Sequence, residues 1–188
     1  MQEKTKADRL SSLPTGTAGL DEVLRGGITP HRLYLVEGTP GAGKTTLALK
    51  FLMEMVAEDQ FSSDHEQSLL HPSDVELGET VRGIIELVEK TNPTRVVLDS
   101  LSELRLLAQN PLRYRRQILA LKHFFARRNC TVLMLDDRTA EPGDLQLHSI
   151  AHGVISLEHS ANDFGSERRR LRVIKMRGLK YHGGYHDF

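Results

Sequence analysis

Residues 32–56, from Arg32 to Val56, read RLYLVEGTPGAGKTTLALKFLMEMV, and the fold turns on this stretch. An apolar run, Leu33 to Val36, leads into a glycine-rich turn and then a long amphipathic segment. Within the turn, Gly38, Thr39, Pro40, Gly41, Ala42, Gly43, Lys44 and Thr45 spell the phosphate-loop pattern, in the strand–loop–helix setting that gives it meaning. The glycines let backbone N–H groups curl around phosphate oxygens with no Cβ in the way. The helix that follows, with Thr46 in its first turn, points its positive end at the anion. Lys44 is then the residue to reach the β- and γ-phosphates, and the Thr45 hydroxyl the residue to ligate Mg²⁺. A chance glycine-rich turn is the competing reading, and the flanking strand and helix weigh against it.

Working outward, Ala48, Phe51, Leu52 and Met55 recur at helical spacing, which predicts a helix from Lys44 to about Glu58 with one face on a sheet. Upstream, residues 1–10 read as a polar tail, leaving 11–188 as a single domain. A short helix near Ala18 to Leu24 is ended by Gly26-Gly27. Downstream, Asp59 to His71 reads as loop. Ser73 and Glu76 then form a capping-box pattern ahead of the stripe Leu77, Val81, Ile84, Ile85 and Val88, and Asn92-Pro93 stops that helix. Arg95 to Asp99 is a buried strand ending in a carboxylate. Asn110 and Pro111 are N-cap and first residue of a helix with core stripe Tyr114, Ile118, Leu121 and Phe125. Its basic residues Arg113, Arg116, Lys122 and Arg127 read as a solvated face rather than a docking site. Thr131 to Leu135 is a second buried strand, closed by Asp136 and Asp137. A short helix over 144–151 and strands over Gly153 to Leu157 and Arg169 to Met176 complete the chain. Continuous apolar strands separated by helices predict an α/β fold, a mainly parallel sheet with helices on both faces.

Composition narrows the function. The 188 residues carry 25 basic and 25 acidic side chains, so net charge argues neither for nor against a nucleic-acid partner. The charges are segregated, acidic from Glu54 to Glu89 and basic from Arg168 to Lys180. Cys130 is the only cysteine, which excludes a disulfide framework and a cysteine-based zinc site. His65-Glu66 has no second histidine at zinc-protease spacing. No apolar run approaches membrane-spanning length and the N-terminus lacks a signal core, so a soluble, cytoplasmic protein with no membrane partner is expected.

A phosphate loop needs a second carboxylate for Mg²⁺ at the end of a neighbouring buried strand, and Asp99 is the best candidate. Capping of the turn after the strand is its alternative role. Asp136 and Asp137 either face the same site or start the following turn.

The run from Thr15 to Ile28 ahead of the phosphate loop resembles the RecA-like ATPases of the KaiC and RadA group. Arg95 to Leu104 (RVVLDSLSEL) and Lys175-Met176-Arg177-Gly178 resemble KaiC-type domains in particular. The resemblance covers most of residues 10–188. It implies a RecA-like P-loop fold that binds ATP and Mg²⁺ and assembles head to tail into a homo-oligomeric ring, usually a hexamer, with nucleotide between subunits. It also implies that Lys175 and Arg177 act in trans on a neighbour's phosphates. They lie two apart on a strand and so share a side. Surface charge protecting an edge strand is the other reading of this pair.

The chain departs from the family in two places. Between Lys44 and Asp99 there is no room for the usual extra edge βα unit, whose strand ends in the acidic residue that activates water. Glu54, Glu58, Glu66 and Glu103 are the substitutes the sequence offers, with Glu103 the catalytic candidate, and none sits at a recognisable strand end, so nucleotide binding is expected with slow or absent hydrolysis. The chain also stops at Phe188, where relatives continue, so the domain reads as incomplete at its C-terminus. Three functions follow: a KaiC-type ATPase, an ATP-dependent scaffold that does not turn ATP over, and, with least support, a RadA-like DNA-processing ATPase. Against the last, the basic run lacks stacking aromatics before Tyr181.

Overall fold

Strand β1, Leu33–Gly38, is buried at every position, as expected of a strand with helices on both faces. The computed structural model describes residues 12–54, 77–137, 146–160 and 167–188. The tail over 1–10, Met55, Glu58, the Asp59–His71 loop with His65 and Glu66, the Ser73–Glu76 capping box and positions 144–145 lie outside the described residues.

Around β1 the elements run α1 (Ala18–Val23), β1, α2 (Lys44–Met53), α3 (Leu77–Thr91), β2 (Arg95–Leu98), α4 (Leu101–Ala108), α5 (Pro111–Ala126), β3 (Thr131–Asp136), α6 (Gln146–Ile150), β4 (Gly153–Ser160), β5 (Arg168–Met176) and β6 (Tyr185–Asp187). The sheet order is β2-β3-β1-β4-β5-β6. β2, β3, β1 and β4 are parallel, whereas β5 and β6 continue the sheet antiparallel. β3 therefore sits between the phosphate-loop strand and the strand leading to Asp99. Among the described residues no strand separates α2 from α3, and β2 is a sheet edge.

Side chains alternate across the sheet. Leu33 and Leu35 face α3, α4, α5 and α6, in one core with Val132, Met134 and Val154. Tyr34 and Val36 face α1 and α2, in a second core with Leu133, Leu135, Ile155 and Phe51. The α5 stripe Tyr114, Ile118, Leu121 and Phe125 is buried as its spacing predicts, and Asn110 caps the helix by accepting from Leu112 N and Arg113 N. Arg95, only 8% exposed, lies on the α2 side, where it donates to Pro14 O and Phe51 O and stacks over the Phe51 ring. That contact ties the chain before α1 and the body of α2 to β2.

Three features were not anticipated. Helix α4 follows Asp99 directly, although Ser100 and Glu103 have capping-box spacing and Leu101, Leu104 and Ala108 form its buried stripe. Strand β6 pairs with β5 over Arg170–Arg172. The β4–β5 register shifts between Val154 and Ile155, which leaves Ile174 as the extra residue. This bulge lets both Val173 and Met176 reach the α2-side core and turns Lys175 to the opposite face.

Candidate functional site

β1 has β3 on one side and β4 on the other, so the chain order reverses at its C-terminal end. Open α/β sheets bind ligands in the crevice at such a switch point. The glycine-rich turn emerges there. Gly38 must be glycine because a Cβ would stand 2.4 Å from Leu157 O. Gly43 has φ +96° as the residue before α2, a conformation that L side chains rarely adopt. No side chain caps α2, so its first N–H groups remain directed toward the crevice.

Lys44 is 6% exposed, and its Nζ donates to Gly38 O (2.9 Å) and Thr39 O (3.0 Å) while pairing with Asp137 Oδ1 at 2.9 Å. The Thr45 hydroxyl donates to Asp99 Oδ2 at 2.9 Å, across 54 residues of chain. Strand alternation explains the meeting. Val97 joins the α2-side core, so Asp99, two residues on, is carried to the start of α2.

These two groups suit a magnesium ion. Both are hard oxygen donors, and octahedral Mg²⁺ with bonds of about 2.0–2.1 Å needs adjacent oxygens about 2.9 Å apart. The two closing aspartates of β3 take separate roles. Asp136 is buried and pairs with Arg105 at 3.0 Å, whereas Asp137 faces Lys44. Ser102 of α4 reaches toward both, at 3.4 and 3.5 Å.

Among the substitutes for the missing acid, Glu103 is exposed on the first turn of α4 and lines a groove of about 340 Å³ together with Asp99. Glu54 follows the last turn of α2, roughly 15 Å along the helix from Lys44. Glu58 and Glu66 lie outside the described residues. Sequence reasoning overlooked Glu37, which is 5% exposed immediately before Gly38 and bonded to His148 Nε2 of α6 at 2.7 Å. Its signal was a carboxylate interrupting an otherwise apolar strand.

Lys175 and Arg177 lie elsewhere. Lys175 is paired with Val154 and Arg177 N donates to His152 O, at the start of β4, whereas the phosphate loop follows the row of Leu157. The separation along the strands, at about 3.3 Å per residue, is roughly 10 Å for Lys175 and roughly 17 Å for Arg177. Both side chains do share a side, as their spacing predicts. Lys175 Nζ donates to His148 O and to Ala151 O, the latter at 2.9 Å, and Arg177 donates to Ser149 O at 3.1 Å. Neither residue can reach the phosphate loop of its own chain.

Known proteins place this arrangement. Residues 13–62 and 55–188 match the family model described as KaiC ATPase. The UPF0273 protein PH0284 of Pyrococcus horikoshii is 25% identical, over 93% of this chain and 88% of its own. A UPF0273 protein of Thermotoga maritima is 26% identical, over 95% and 92%. Both alignments run longer than the 188 residues of this chain, so these relatives carry residues that it lacks. The circadian clock oscillator protein KaiC of Prochlorococcus marinus is 23% identical, and this chain spans 43% of it. Among solved structures, the KaiC-like protein PH0186 of Pyrococcus horikoshii superposes with a TM-score of 0.74 at 20% identity, covering 94% of both chains. With a RecA-like sheet and a family match over nearly its whole length, the chain belongs to the KaiC ATPase family.

Proposed function

We propose that this chain binds Mg·ATP at the end of β1 and that a neighbouring copy completes the site. The observation that carries the reading is the 2.9 Å contact between Thr45 and Asp99, beside a buried Lys44. The backbone of residues 38–46, Gly38 through Thr46, cradles the phosphates, Lys44 takes the β- and γ-phosphate oxygens, and Thr45 and Asp99 hold Mg²⁺. The ion supplies charge neutralisation on the phosphate chain. Lys175 and Arg177, out of reach of their own loop, act on nucleotide held by the next subunit of a head-to-tail ring, a hexamer by family resemblance. A cytoplasmic location, where Mg·ATP is abundant, goes with this reading.

A second reading is favoured by one observation. Among the described residues no carboxylate ends a strand beyond β2, and the carboxylates that line the groove of Asp99, Glu79 and Glu103, come from helices. An ATP-dependent scaffold with slow or absent turnover fits that arrangement. Equilibrium dialysis of labelled ATP, paired with steady-state phosphate release, separates the two. The ATPase reading expects release above the Lys44→Ala background and a fall in Glu103→Gln. The scaffold reading expects ATP binding in the wild type with release equal to Lys44→Ala. Absence of binding contradicts both.

A further inference from the structure

At the end of the sheet opposite the phosphate loop, a cavity of about 230 Å³ opens between the start of β1, helix α5 and the turn into β4. Its polar lining is His31, Arg32, Lys122, His152 and Arg177, over a floor that includes Phe125. Among the described residues no carboxylate lines it, in a chain whose basic and acidic residues balance at 25 each. Arg32, Lys122 and Arg177 therefore face one small space with no carboxylate beside them among the described residues.

The partial negative charge at hand comes from the C-terminal carbonyls of α6. Lys122 donates to Ile150 O at 2.8 Å, Arg177 to Ser149 O at 3.1 Å, and Arg32 to the carbonyl of its neighbour His31. An ammonium has three hydrogens and a guanidinium five, so each keeps donors to spare. His152 Nε2 is buried with no hydrogen-bond partner among the described residues. The electrostatics agree. Burial first, and then Arg177, hold the Lys122 ammonium below its ordinary range. Lys175, packed beside them, is lowered by burial and then by Arg177 and Lys122. Burial, followed by repulsion from Arg32, also lowers His152.

We propose that this cavity is an oxyanion site that takes a phosphate-class group between Arg32, Lys122, His152 and Arg177. A tetrahedral oxyanion supplies the missing charge, offers acceptors to the Arg and Lys donors, and stabilises the protonated form of the His152 ring beside it. Arg32 and Lys122, on the loop before β1 and on α5, thereby gain a role in ligand binding. The site stands whether or not the phosphate loop binds ATP. The group reaches it either as a free ion or on the phosphate chain of nucleotide carried by a second copy.

The test is NMR of the His152 ring in the full chain carrying Lys44→Ala, which removes the main cation of the phosphate loop. Titration with inorganic phosphate should shift the His152 signals saturably. Lys122→Gln or Arg177→Gln on that background should weaken the response about tenfold, and Lys180→Gln, outside the cavity, should leave it unchanged. Sulfate, whose charge is constant across the range, should raise the pH midpoint of His152 and bind more tightly as pH falls through it. If free phosphate gives no shift, unlabelled wild type with Mg·ATP is added. A His152 shift that then grows with protein concentration and is lost in Lys122→Gln assigns the oxyanion to the second copy. No His152 response in either arm, or responses that ignore Lys122→Gln and Arg177→Gln, overturns the proposal. Mg·ATP binding to the wild type, measured separately, reports on the phosphate loop alone.

Discussion

Three side chains define the chemistry at the end of β1, and each is held by a different means. Lys44 is held by two loop carbonyls and Asp137, Thr45 by Asp99, and Asp99 by the strand that precedes it. If Asp99 acts through a metal rather than on phosphate directly, as proposed, Asp99→Asn should make nucleotide affinity insensitive to magnesium. Titrations with and without chelator should then converge, where the wild type loses about tenfold or more on chelation. Retention of the full magnesium dependence would remove Asp99 from the site. Cys130 gives a second residue-scale expectation. It is 1% exposed, and burial pushes its thiol up to about 11, so at pH 8 it is both protonated and shielded. Alkylation of folded protein should be negligible at that pH and become rapid in denaturant. Modification at equal rates in both conditions would contradict the burial.

At the scale of elements, the ends of helices carry separable energies. Asn110 satisfies two N–H groups of α5, so Asn110→Ala should lower unfolding free energy by about 1 kcal/mol in urea titration without changing nucleotide affinity. The Asn110-Pro111 pair was legible from the sequence because capping is local. So were the phosphate loop and the strand to Asp99, each encoded within a few consecutive residues. What could not be read depends on packing between distant segments. The Glu37–His148 bond joins residues 111 apart, and neither marks its partner in the sequence. Choosing between Asp136 and Asp137 required knowing which side of β3 faces α2. Helix α4 is a different case. Its stripe and capping spacing are present in the sequence, yet the Ser100 side chain makes no capping bond and the element is only 8 residues long. Strand β6, at 3 residues, is too short for alternation to announce it.

For the whole molecule, the sheet separates two sets of charge. The phosphate loop, Thr45 and Asp99 occupy one end, and Lys122, Lys175 and Arg177 the other, which is the polarity a head-to-tail assembly requires. No helix among the described residues is long and apolar enough to cross a membrane. The same sheet sets a limit on alkaline stability. Tyr34, fully buried with its hydroxyl donating to Thr29 O, is pushed up to about 12 by burial, as Cys130 is to about 11. Both groups are acids whose folded values exceed their unfolded ones, 10.0 and 9.0. Their contribution is complete below pH 9 and declines as pH rises toward 11 and 12. Thermal unfolding should therefore be insensitive to these groups from pH 7 to 8.5 and fall progressively above pH 9. Cys130→Ala should shift the onset upward, and an onset unchanged in that variant would assign the loss to other groups.

The central claim is that main-chain amides, Lys44 and a magnesium ion tethered by Thr45 and Asp99 hold a triphosphate. Isothermal titration calorimetry of the full chain with Mg·ATP tests it most directly. The account predicts one saturable site per chain, with affinity reduced about a hundredfold in Lys44→Ala while the circular dichroism spectrum is unchanged. No heat of binding at millimolar Mg·ATP on folded protein, or equal affinity in Lys44→Ala, would contradict it.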